Sequence, residues 1–120
     1  MRFVISFAFI LLTRIAYAET LYLECSYTSL ANDQLRIQKS DFELQFLIDN
    51  NNAYMIGNAG SVEVLHYFSN QGLFIIEQTP SGNLTTTTIN LTEFSTVHSR
   101  HIIIGSELVA SQFYGSCKIR

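Results

Sequence analysis

From Leu21 onward, apolar and polar residues alternate with a period of two. Leu21, Leu23, Cys25 and Tyr27 fall on one parity, and Tyr22, Glu24 and Ser26 on the other. Successive side chains of a strand point to opposite faces, so this pattern predicts a strand with Cys25 on its apolar face. The same rule picks out Phe42, Leu44, Phe46 and Ile48 against Asp41, Glu43, Gln45, Leu47 and Asp49, the cleanest alternation in the chain. Further strands are expected at Ala53–Ile56, Val62–Phe68, Leu73–Gln78 and Leu84–Leu91. Phe94–His98 and His101–Ile104 read as one kinked strand or two short ones, and Glu107–Tyr114 precedes a last segment ending at Arg120. Ser29–Lys39 is polar and irregular, which fits a long loop or a short helical turn.

Turn chemistry separates these segments. Asp49-Asn50-Asn51-Asn52 suits a hairpin, because Asn and Asp tolerate left-handed backbone and bond their own main chain. Gly57-Asn58-Ala59-Gly60, Ser69-Asn70-Gln71-Gly72 and Thr79-Pro80-Ser81-Gly82 mark further turns. Seven to nine short strands at this spacing indicate an all-β fold, either a small antiparallel barrel or a β-sandwich. Most links are of hairpin length, so a meander is the simplest topology and the barrel is favoured.

The two cysteines sharpen this picture. Phe113, Gly115, Cys117 and Ile119 share parity, so Cys117 also faces an apolar side. A bridge between Cys25 and Cys117 requires their Cα atoms to lie within about 7 Å. It therefore brings the first and last strands together and protects two open sheet edges.

Ahead of the strands the pattern changes. Met1-Arg2 precedes an apolar run from Phe3 to Leu12, broken only by Ser6, and Arg14 interrupts it. The run is roughly half the ~20 residues a membrane-spanning helix needs. With Ala16-Tyr17-Ala18 after it, it reads as a cleavable signal peptide over residues 1–18, leaving a single all-β domain over residues 19–120. Export implies a periplasmic or extracellular location, where two thiols pair as a disulfide, and no stable membrane span after cleavage.

Removing 18 of the 120 residues leaves 102, enough for one domain with a modest core. Arg2 and Arg14 leave with the leader, so five basic residues stand against ten acidic ones, a formal charge of −5. A mildly acidic domain without a Lys/Arg cluster argues against nucleic acid as a partner.

Candidate chemistry is sparse. His66, His98 and His101 are the only histidines, and His98 and His101 fall on opposite faces of a strand, a poor metal pair. No nucleophile elbow, phosphate loop or cofactor motif is present. Asp41 and Glu43 alternate with apolar residues, as on a solvated outer face. Arg100 is the most informative charge. It shares parity with His98, so the two form either a ligand site or, with Glu93 or Glu107, an ion pair at a strand end. Asn83-Leu84-Thr85 and Asn90-Leu91-Thr92 match the N-glycosylation pattern, which matters only in a eukaryotic secretory pathway. Tyr22, Tyr54, Tyr67 and Tyr114 are expected on outward faces, where they suit protein or glycan contacts.

A Tyr22-Leu23-Glu24-Cys25 opening, a Ser81-Gly82-Asn83-Leu84 segment and cysteines near both ends give a layout that resembles, in outline, the membrane-bound lysozyme-inhibitor family. That family carries Tyr-x-Cys and Ser-Gly-x-x-Tyr; here the first spacing is longer by one residue, and Thr85 stands at the second Tyr. The resemblance implies a small exported β-barrel, and no site residue carries over.

The sequence therefore leads us to expect an exported, non-catalytic β-domain, a binding or structural module of the periplasm or cell envelope, whose partner is an envelope protein or glycan. The alternative is an inhibitor of a secreted hydrolase. An enzyme using Arg100, His98 and a carboxylate is a third reading, with Cys25 and Cys117 committed to the bridge.

Overall fold

The computed structural model describes residues 20–32, 37–58, 60–79 and 82–120. The leader expected over residues 1–18 lies outside them. Eight strands follow one another: β1 (Leu21–Asn32), β2 (Ile37–Asp49), β3 (Asn52–Gly57), β4 (Gly60–Phe68), β5 (Gly72–Gln78), β6 (Leu84–Asn90), β7 (Ser95–Ile104) and β8 (Glu107–Ile119). They form a closed antiparallel meander in which β8 returns to pair with β1. The barrel, not the sandwich, is the architecture. Among the described residues no helix is long and apolar enough to cross a membrane.

Closure depends on the first and last strands. Cys25 pairs directly with Cys117 across the β1–β8 ladder, and the two form a disulfide with Cα atoms 4.0 Å apart. The Cys117 amide donates to the Phe94 carbonyl at 2.8 Å, so it points toward β7 rather than β1. Both cysteines are buried in the core, as their parity requires.

Two sequence readings change. Residues 29–32 and 37–39 are strand, not loop or helical turn. A register shift between Tyr27 and Ser29 moves Leu30 onto the inner face opposite Phe113, which breaks the alternation that strand recognition relies on. Phe94 opens no strand: Ser95–Ile104 is one continuous strand, and Phe94 sits before it with φ of 61°. A bulky side chain rarely adopts that backbone. It is held by its amide on the Asn90 carbonyl at 2.7 Å and by its carbonyl on Cys117, and its ring packs with Leu91 and Leu21 against the core.

The interior divides by composition. β1, β2 and β3 contribute Leu23, Tyr27, Leu44, Phe46, Ile48 and Met55. β6 and β7 instead turn Thr85, Thr87, Thr96 and His98 inward, and all four are buried. Thr suits a strand for its β-branching, and its hydroxyl finds cross-strand partners.

Gly115 makes one of those contacts possible. It pairs with Tyr27 on β1 and with Thr96 on β7. With no side chain on β8 between them, the Tyr27 hydroxyl reaches Thr96 Oγ1 at 3.1 Å. A Cβ on Gly115 would collide with the Ser26 carbonyl oxygen.

Candidate functional site

Strand register builds the site in levels. Ile75, Thr87, His98 and Phe113 stand side by side across β5 to β8. Two residues nearer the mouth, Glu77, Thr85, Arg100 and Ser111 form the next level. The lower level is packed. Thr87 Oγ1 and His98 Nδ1 are 2.7 Å apart, and His98 is only 1% exposed. Tyr27, Phe42, His98 and Phe113 form an aromatic cluster, with Phe42 and Phe113 centroids 4.9 Å apart and Phe42 and His98 centroids 5.6 Å apart.

Burial shapes the titration of this level. His98 is pushed down to about 4 by burial, helped by the nearby positive Arg100, so it is neutral at physiological pH. Tyr27 is pushed up to about 12 by burial, against a smaller opposing effect of its bond to Thr96. Neither group is poised for proton transfer near pH 7.

The upper level is open. A cavity of about 410 Å³ lies above the aromatic cluster, lined by residues that include Glu77, Thr85, His98, Arg100, Phe42 and Met55. The Arg100 guanidinium sits 5.5 Å from the Phe42 ring centroid and 5.3 Å from that of Phe113. Such contacts hold a cation by the ring quadrupole. Among the described residues no carboxylate lies within ion-pair distance of Arg100, and its N–H groups donate to no protein acceptor. The strand-end partners suggested by sequence, Glu93 and Glu107, are exposed and do not reach it. Glu77, two strands away, accepts a bond from Thr85 Oγ1 at 3.2 Å.

Access comes through a seam. The β4–β5 ladder stops at Leu65↔Ile76, whereas β3–β4 pairing continues to Gly57↔Gly60 and β5–β6 pairing to Gln78↔Leu84. Beyond Leu65 the two strands part, and Gly60 and Val62 on one side face Glu77 and Thr79 on the other across the cavity. A wider depression of about 580 Å³ runs along the outside of this seam past Leu65, Tyr67 and Ile76. Of these two the inner cavity is the stronger candidate because it combines an unpaired cation with converging hydroxyls.

Next to the mouth, β7 and β8 run on together beyond their other pairings among the described residues. The last β6–β7 pair is Leu84↔His101, and among the described residues the last β1–β8 pair is Asn32↔Ser111. Ile102–Val109 therefore projects as a two-stranded tongue, turning at Gly105 with φ of 64°. Ile103, Ile104 and Leu108 on it are 70%, 63% and 69% exposed.

The structure thus places Arg100 and His98 together, facing inward on adjacent levels. His101 lies outside the barrel, and His66 is half-buried on β4 against Phe68. The four tyrosines stand on four different strands, β1, β3, β4 and β8. Tyr22 donates to Gln45 at 2.7 Å and lies under Arg120, and Tyr114 donates to Gln112 at 2.6 Å. Asn90, one of the two glycosylation triplets' acceptors, has its side-chain oxygen on the Thr92 and Glu93 amides. Sequence reasoning missed Phe42, Glu77, Thr85 and Phe113 as site residues. Phe42 and Phe113 read as core, Glu77 as a strand end and Thr85 as one of four consecutive threonines; only register across strands brings them to Arg100.

In comparison with known proteins, the chain matches no family model, no curated protein and no solved structure.

Proposed function

We propose that this is an exported, non-catalytic binding module of the periplasm or cell envelope that holds a small molecule at one end of its barrel. The observation that carries the reading is the cavity of about 410 Å³ with a fixed, unpaired guanidinium at its wall. Eight-stranded barrels have interiors just wide enough to be filled by side chains or to hold one small ligand, and this cavity falls in the size range of small-molecule sites. The disulfide fits an oxidising compartment. His98, an imidazole in the cavity wall, is buried, hydrogen-bonded and neutral, which suits a packed floor better than a general base.

The test is an amide-resolved NMR titration of the protein over residues 19–120 with a neutral apolar probe, octanol, at millimolar concentration. Shifts clustered at Leu44, Met55, Val62 and Thr85 support the reading. A spectrum unchanged by octanol and also by the acids octanoate and 2-aminooctanoate refutes it. N-terminal sequencing of the exported protein tests cleavage after Ala18, with Glu19 expected first.

A second reading, inhibition of a secreted hydrolase, is favoured by the projecting tongue with its exposed Ile103, Ile104 and Leu108. Contiguous exposed apolar side chains mark interaction surfaces. A panel of lysozymes and proteases left fully active by excess purified domain removes this alternative.

A further inference from the structure

We propose that the mouth cavity is a binding site for a small carboxylic acid with an apolar body, and that Arg100 reads the carboxylate. This rests on the small-molecule reading above and gives it a ligand class.

Three observations point to the carboxylate. A guanidinium presents a planar fork of donors that matches a carboxylate. Arg100 is held beside Phe42 and Phe113, so its position is set before any ligand arrives, and its donors are unused by protein acceptors among the described residues. The one carboxylate in the cavity wall, Glu77, takes the Thr85 hydroxyl instead of pairing with it.

The rest of the wall sets the body of the ligand. Phe42, Leu44, Met55, Val62 and Ile102 line the cavity, so an alkyl or aromatic body has apolar surface to cover. Glu77 and Arg100 flank Thr85 at the same level, which puts their Cα atoms about 10 Å apart at the usual strand spacing. An acid that carries an amino or hydroxyl group next to its carboxylate uses both: the acid end on Arg100, the donor toward Glu77. The seam between β4 and β5 provides a path for a ligand of this size without opening the stapled side of the barrel.

Octanoate, 2-aminooctanoate and octanol, titrated separately into the protein by calorimetry and NMR, test the assignment. Both acids are expected to bind about 10- to 100-fold more tightly than the alcohol, the range of one charge-assisted contact. Arg100→Gln is expected to abolish that difference between acid and alcohol. Glu77→Gln is expected to weaken 2-aminooctanoate more than octanoate. The comparison of acid with alcohol on the unaltered protein stands even where a variant does not fold. Octanoate binding no more tightly than octanol overturns the carboxylate assignment while small-molecule binding survives. No shift with any of the three overturns both.

Discussion

His98 links the interior of the barrel to acid stability. Its ring is buried, bonded through Nδ1 to Thr87, and held neutral with its titration lowered to about 4. In the unfolded chain a histidine titrates near about 6.5. Between these values the unfolded state binds the extra proton, so stability rises with pH across the window and falls as pH is lowered through it. Stability from this group is complete above about pH 6.5 and lost as the pH approaches 4. Integrating the two titrations gives a loss of about 2 kcal/mol by pH 5 and about 3 kcal/mol by pH 4, relative to pH 7. That is a large share of the ~5–15 kcal/mol typical of a domain. The assay is urea denaturation of the unaltered protein and of His98→Gln at pH 7, 6, 5 and 4. The stability difference between the two should shrink by those amounts as the pH falls. An independent reading comes from the His98 ring resonances, which should stay in the neutral position down to about pH 5. A ring that titrates near 6.5 refutes the reasoning, as does a stability difference that is flat with pH.

Other perturbations probe the barrel frame. Gly115→Ala places a Cβ against the Ser26 carbonyl, where only backbone can move, and should destabilise by about 3 kcal/mol in a urea titration. Tyr27→Phe leaves the buried Thr96 hydroxyl without its partner and should lose about 1–3 kcal/mol; adding Thr96→Val should recover part of that loss in the same assay. Reducing the Cys25–Cys117 bridge, or replacing both residues by Ser, releases a constraint over a separation of 92 residues. The chain-entropy limit for such a loop is about 4–5 kcal/mol, read as a lower denaturation midpoint. A thiol reagent that labels the unreduced, denatured protein would instead show that the bridge does not form.

Alternation was a reliable guide wherever one face of a strand is buried and the other is wet. β2 and the first half of β1 are such strands, and Leu44, Phe46, Leu23 and Cys25 all proved to be core. It failed where both faces are solvated or the register slips. The Ser29–Lys39 stretch looked irregular because the bulge after Tyr27 inverts the parity of β1. The isoleucine triplet of β7 shows no period because Ile102–Ile104 belongs to a tongue that, among the described residues, pairs with β8 only. The site was half legible. Shared parity put Arg100 with His98, but its aromatic neighbours come from β2 and β8. Thr85 and Thr87 were hidden in a run of four threonines, where side-chain type no longer reports which face is inside.

The staple between β1 and β8 also decides how the protein meets mechanical load. Tension applied between Thr20 and Arg120 travels along β1 to Cys25, crosses the covalent bridge, and leaves through the last residues of β8. The intervening strands lie in a closed loop outside that path and bear none of the force. An oxidised molecule stretched by its ends should yield only the few residues outside the bridge. Once reduced, it should lengthen by the whole loop as β1 peels away from β8.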